Sequence, residues 1–154
     1  MFQSIVVAHD GTDCSDRAFD YAIALAKVSG AKLTVCHATD ISSALSVVSV
    51  PGANPGPLCD ALYKEAHSIA QHVNDYAAKA GVSVVFHDLG RSPAQGIIDA
   101  AESAGADLVV VGTHSRHGLE NFLAPSVSQH VARDIQVPLL IVPTGSPALL
   151  TREN

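Results

Sequence analysis

Short, wholly apolar runs alternate along this chain with stretches whose apolar residues recur every three or four positions, and that alternation leaves few folds open. Residues 5–8 form a run with no polar face, as a strand covered on both sides requires. After Gly11 turns the chain, Asp13 or Ser15 can cap a helix in which Ala18, Ala22, Leu25 and Ala26 share one face. Gly30 closes that helix in the left-handed position after its end. Residues 33–38 read as a second strand. Leu62, Ala66, Ile69, Ala70, Val73 and Ala77 mark the longest amphipathic helix, closed by Gly81, and residues 82–86 read as a third strand. Ser92 and Pro93 supply the N-cap and first position of another helix, with Ile97, Ile98 and Ala101 inward. Residues 108–111 are the most hydrophobic strand, expected at the centre of the sheet. A helix from about Pro125 to Arg133 precedes the last strand, residues 139–142, which Pro138 and Pro143 bracket.

Five strands alternating with four helices predict a doubly wound α/β fold, a five-stranded parallel sheet with helices on both faces. Right-handed crossovers force the strand order to reverse somewhere, and ligands bind at the carboxyl ends of the strands where it does. The loops that matter are then residues 9–13, 38–40 and 112–126. Residues 40–57 carry Pro51, Gly52, Pro55, Gly56 and Pro57 and are expected to hold no regular element. A loop of that length is either functional or mobile.

The 154 residues fit a single domain over 1–144 with a loose tail over 145–154, and a 47% hydrophobic content is ample for one core. A formal net charge of −6 with no Lys/Arg cluster argues against nucleic acid as a partner. No stretch approaches the ~18 apolar residues of a membrane span, and the first residues lack the pattern of a signal peptide. Cys14, Cys36 and Cys59, odd in number and widely spaced, read as reduced thiols of a cytoplasmic protein.

Ile5-Val6-Val7-Ala8-His9-Asp10-Gly11-Thr12 resembles the first strand and turn of universal stress proteins. Ala106 through His114 is similar to their fourth strand and its turn, and Ser126-Val127 with Val137 through Pro143 to their fourth helix start and last strand. The similarity extends to about residue 143. It implies the adenine nucleotide alpha hydrolase-like strand order 3-2-1-4-5. It also implies an adenine nucleotide site, ATP or AMP, whose candidate residues are Ala8, Asp10, Ala38, Gly112, Thr113, Ser115, Ser126 and Val127. Asp10 falls at the base or ribose end of that site, and Ala38 where the backbone faces the base.

Nucleotide-binding members of the family carry Gly, two residues, Gly, nine residues, Gly, then Ser or Thr. Here Gly112 and Ser126 hold the outer positions, but Ser115 and Pro125 replace the second and third glycines. Glycines let backbone N–H groups approach phosphate oxygens, and proline has no N–H to give. A side chain forced to φ > 0 costs roughly 1–2 kcal/mol and a lost charge-assisted hydrogen bond roughly 1.5–3 kcal/mol. If the two changes act independently, triphosphate binding is expected to weaken by about two to three powers of ten. Side-chain donors from His114, Ser115, Arg116, His117 and Ser126 offer compensation.

The expected function is a non-enzymatic, dimeric stress-response protein with weak or absent ATP binding. The alternative is an ATP- or AMP-binding regulator that uses those side-chain donors and hydrolyses ATP slowly. Neither a nucleophile elbow, a P-loop nor a dinucleotide glycine motif is present. His9, His37 and His114 lie near adjacent strand ends but lack a zinc spacing, so no metal is expected. Cys14 lies near a helix N-terminus, which lowers thiol pKa, but Asp13 and Asp16 oppose this and favour an ordinary thiol. The last strand is expected at a sheet edge, and the resemblance implies a homodimer through it, with Leu140 and Val142 at the interface.

Overall fold

The computed structural model describes residues 1–39, 52, 54–90, 92–113 and 127–149. Ile5, Val6 and Val7 of β1 (Ser4–Ala8) are β-branched and fully buried, which a strand can achieve only when both faces are covered. The twofold alternation of the strand sends Ile5 and Val7 to one core and Val6 to the other. β2 (Lys32–His37), β3 (Val84–Asp88), β4 (Leu108–Thr113) and β5 (Leu139–Pro143) complete a five-stranded sheet in the order β3-β2-β1-β4-β5. Every pairing is parallel.

Four described helices cover this sheet: α1 (Asp13–Ser29), α2 (Gly56–Lys79), α3 (Pro93–Ser103) and α4 (Val127–Asp134). Phe19 and Ile23 of α1 pack with Ile69 and Val73 of α2 on the face of Ile5 and Val7. Ile97 and Ala101 of α3 pack with Val131 of α4 on the opposite face, against Val6 and Val109. The doubly wound α/β architecture and its strand order are as expected.

Local chemistry moved several boundaries. Thr12, rather than Asp13 or Ser15, caps α1: its side chain accepts from the Ser15 N–H, and its carbonyl accepts from the Asp16 N–H. Ser92 does occupy the N-cap of α3, but its side chain makes no capping bond. α2 starts at Gly56, well before Leu62, because Pro57 fits a first helical turn that needs no N–H there. The expected loop therefore ends at Pro55, and residues 40–51 lie outside the described residues. β3 begins at Val84 rather than Val82, since the Val82 N–H is spent on the Ala77 carbonyl at the end of α2. β4 is interior, yet β1 is the middle strand.

Candidate functional site

The chain leaves β1 for β2 on one side and later places β4 on the other, so the order reverses between β1 and β4. Ala8 ends β1 opposite Cys36, and Ala38 follows β2 directly. Gly112 and Thr113 end β4. Five of the eight candidate nucleotide residues (Ala8, Asp10, Ala38, Gly112 and Thr113) thus lie at the carboxyl ends of three adjacent strands. Val127 opens α4 and is 40% exposed. Ser115 and Ser126 lie outside the described residues, as do His114, Arg116, His117 and Pro125.

Asp10 builds its own turn. Its Oδ1 accepts from the Thr12 amide at 3.1 Å and the Thr12 hydroxyl at 2.6 Å, while Gly11 takes φ +82°. Partial desolvation pushes the Asp10 pKa up, but hydrogen bonds from Thr12 and Ser15, with His9 nearby, hold it below the usual carboxylate range. With exposed Asp13 opening α1 beside it, this turn is acidic and its helix N-terminus is already capped by Thr12.

Gly112 has a packing reason of its own. A Cβ there would meet the Cys14 carbonyl oxygen at 2.6 Å and the Cys14 sulfur at 2.7 Å. β4 can lie this close to the start of α1 only without a side chain at 112. Beside it, the Thr113 carbonyl accepts from the Thr144 amide at 3.0 Å and the Thr144 hydroxyl at 3.1 Å. Cys14 is buried, and chiefly for that reason its thiol pKa is raised, with Asp10 adding and Thr144 opposing. Its helix-terminal position therefore yields no activated thiolate.

The histidines expected near the strand ends go to separate partners. His37 Nδ1–H donates to the His9 carbonyl at 2.9 Å, and the His37 ring stacks on Phe86. His9 is turned into the α1–α2 layer, edge-on to Phe19, and its Nε2–H donates to Asp16 Oδ1 at 3.1 Å. His72 of α2 donates to the same oxygen at 2.8 Å. The His9 bond does most to lower the Asp16 pKa, partial burial opposing it and His72 adding to it, down to about 2. One turn along, buried Asp20 accepts from Tyr76 of α2 and from Arg17. Sequence reasoning missed this column, because His72 and Asp16 are 56 positions apart and neither stands in a motif.

At the other sheet edge, Val142 is 2% exposed and belongs to the core, and Leu140 is partly buried against it. Ile141 between them points outward at 41% exposure. A partner on this edge would meet the Ile141 side chain and the strand backbone, with the Val142 side chain already committed inward.

The sequence profile of the Universal stress protein family matches residues 1–143. The chain belongs to the universal stress protein family. It is 33% identical over 147 residues to universal stress protein YxiE of Bacillus subtilis, covering 92% of this chain and 99% of that one. A universal stress protein of Methanocaldococcus jannaschii is also 33% identical, over 92% of this chain and 82% of its own length. Among solved structures, a universal stress protein in complex with cAMP is 31% identical, with a TM-score of 0.71 over 94% of this chain and 99% of that one. In this universal stress protein no described helix is long and apolar enough to cross a membrane.

Proposed function

We propose that this universal stress protein is a dimeric, non-enzymatic regulator whose crevice takes the base and ribose of an adenine nucleotide and holds its phosphates weakly. The observation that carries this reading is the acidic Asp10 turn set beside Gly112 at the sheet's switch point. Such a rim favours sugar hydroxyls over phosphate, and the phosphate side lacks two of the family's three glycines, at Ser115 and Pro125. The similar protein crystallised with cAMP supports a ligand with one phosphate. All three cysteines are free, which suits a reducing, cytoplasmic setting.

Calorimetric titration with cAMP, AMP, ADP and ATP, with and without magnesium, tests this. The mononucleotides should bind at least as tightly as ATP, and Ser115→Gly with Pro125→Gly should strengthen ATP binding. Submillimolar ATP affinity in the unaltered protein would instead favour the second reading, an ATP-binding regulator with slow hydrolysis. That reading draws on the hydroxyl and cationic side chains of Ser115, Ser126 and Arg116.

A further inference from the structure

The polar column between α1 and α2 has no role in the nucleotide reading, and its donor set is unusual for a helix–helix layer. His9 Nε2, His72 Nε2 and a carboxylate oxygen of Asp16 all lie within 4.8 Å of one another. Two of the three separations are 3.1 Å and 2.8 Å. Ligands of a tetrahedral cation bound at ~2.0–2.1 Å sit roughly 3.3 Å apart, so each His–Asp pair must open by a few tenths of an ångström, and the two imidazole nitrogens, within 4.8 Å of each other, must also reach that spacing. The side chain of His9 is fully buried, whereas those of His72 and Asp16 are 49% and 27% exposed. One wall is therefore fixed by the core and the opposite side opens to water.

We propose that His9, Asp16 and His72 form a binding site for a zinc-like divalent cation, with a water in the remaining position. Two imidazoles and one carboxylate suit zinc, and three protein ligands with one open side are a familiar zinc arrangement. Hard cations such as magnesium would be poorly matched by two ring nitrogens.

Binding a cation through Nε2 would make the His9 ring exchange its Nδ1 partner, giving up the Gly11 amide that donates there for the Ser15 hydroxyl oxygen. In the metal-free arrangement Nε2–H donates to Asp16, and Nδ1 accepts from the Gly11 amide at 3.2 Å. To bind a cation through Nε2, the ring must carry its proton on Nδ1 and needs an acceptor there. Ser15 Oγ lies 3.5 Å from Nδ1 and gives its own proton to the Thr12 carbonyl at 2.8 Å, leaving a lone pair for Nδ1–H. The ring proton moves from one nitrogen to the other by exchange with water, and no oxidation or reduction is involved.

The test uses the full chain, stripped of metal, with Cys59→Ser to remove the exposed thiol as a competing ligand. Zinc is titrated against a chromophoric chelator, and cobalt is used to read coordination from its visible absorption. The expected result is a single zinc per chain, four-coordinate cobalt bands, and at least ~10-fold weaker binding in His72→Ala and Asp16→Asn, with a smaller loss in Ser15→Ala. His67→Ala, on the same helix but outside the cluster, should bind as before. His72→Cys, which replaces one zinc ligand by another, should keep the site and guards against a loss caused by misfolding. The proposal is overturned if zinc fails to bind at ~100 µM, a concentration corresponding to about −5.5 kcal/mol. It is equally overturned if His72→Ala and Asp16→Asn bind like the parent.

Discussion

A methyl group at position 112 would stand 2.6 Å from the carbonyl oxygen of Cys14, and backbone cannot give way as a flexible side chain can. Gly112→Ala should therefore destabilise the fold by about 1–3 kcal/mol, seen as a lower urea midpoint with an unchanged slope. The position is visible in the sequence as a motif glycine, but its contact with Cys14 is not, because nothing local to residue 112 encodes the approach of α1. Asp107 makes a second point at this scale. Its two oxygens accept the Gln3 amide at 2.7 Å and the Ser4 amide at 3.1 Å, pinning the entry to β1. The Gln3 bond foremost, with help from Ser4, lowers the Asp107 pKa below its unfolded value. Its contribution is thus complete above the unfolded pKa of 3.8 and disappears as pH falls through the lower folded value. Asp107→Asn should lower the melting temperature at neutral pH, and the gap from the parent should close in acid.

Among the elements, those whose sequence pattern and packing agree were legible, including α1 with Ala18, Ala22 and Ala26 inward and Gly30 at φ +71° behind it. The shifts at β3 and α2 arose where one residue serves two elements. Val82 has the side chain of a strand residue, yet its N–H closes α2, and a hydrophobic pattern carries no record of where an amide is used. β5 shows the same limit. Its apolar run identifies a strand, but which residue faces outward depends on register, and Ile141 is paired with Val111 so that it points away from the core of Val142. If two copies join along β5, Ile141→Arg should shift the protein to monomer mass in light scattering while leaving it folded. Val142→Ala should instead lower stability with little effect on mass, since that side chain fills the core.

For the molecule as a whole, alternation made the doubly wound sheet readable and right-handed crossovers required a reversal, while the strand order itself came from the resemblance to universal stress proteins. The α1–α2 polar column was not readable, because it joins residues brought together only when both helices dock on the same face of the sheet. Docking also sorts the three thiols. Cys14 and Cys36 are enclosed, burial pushing Cys36 up to about 12, whereas Cys59 is exposed on α2. A thiol reagent should consume one equivalent quickly in the folded protein and the other two only after denaturant is added. The close seat of β4 on α1 then acquires a chemical meaning. The Cys14 sulfur occupies the space that a side chain at 112 would have filled, and with the residue only 3% exposed an oxidant in solution has little access to it. Oxidants would spend themselves on the rim of the molecule, and the packing beneath the crevice would age last.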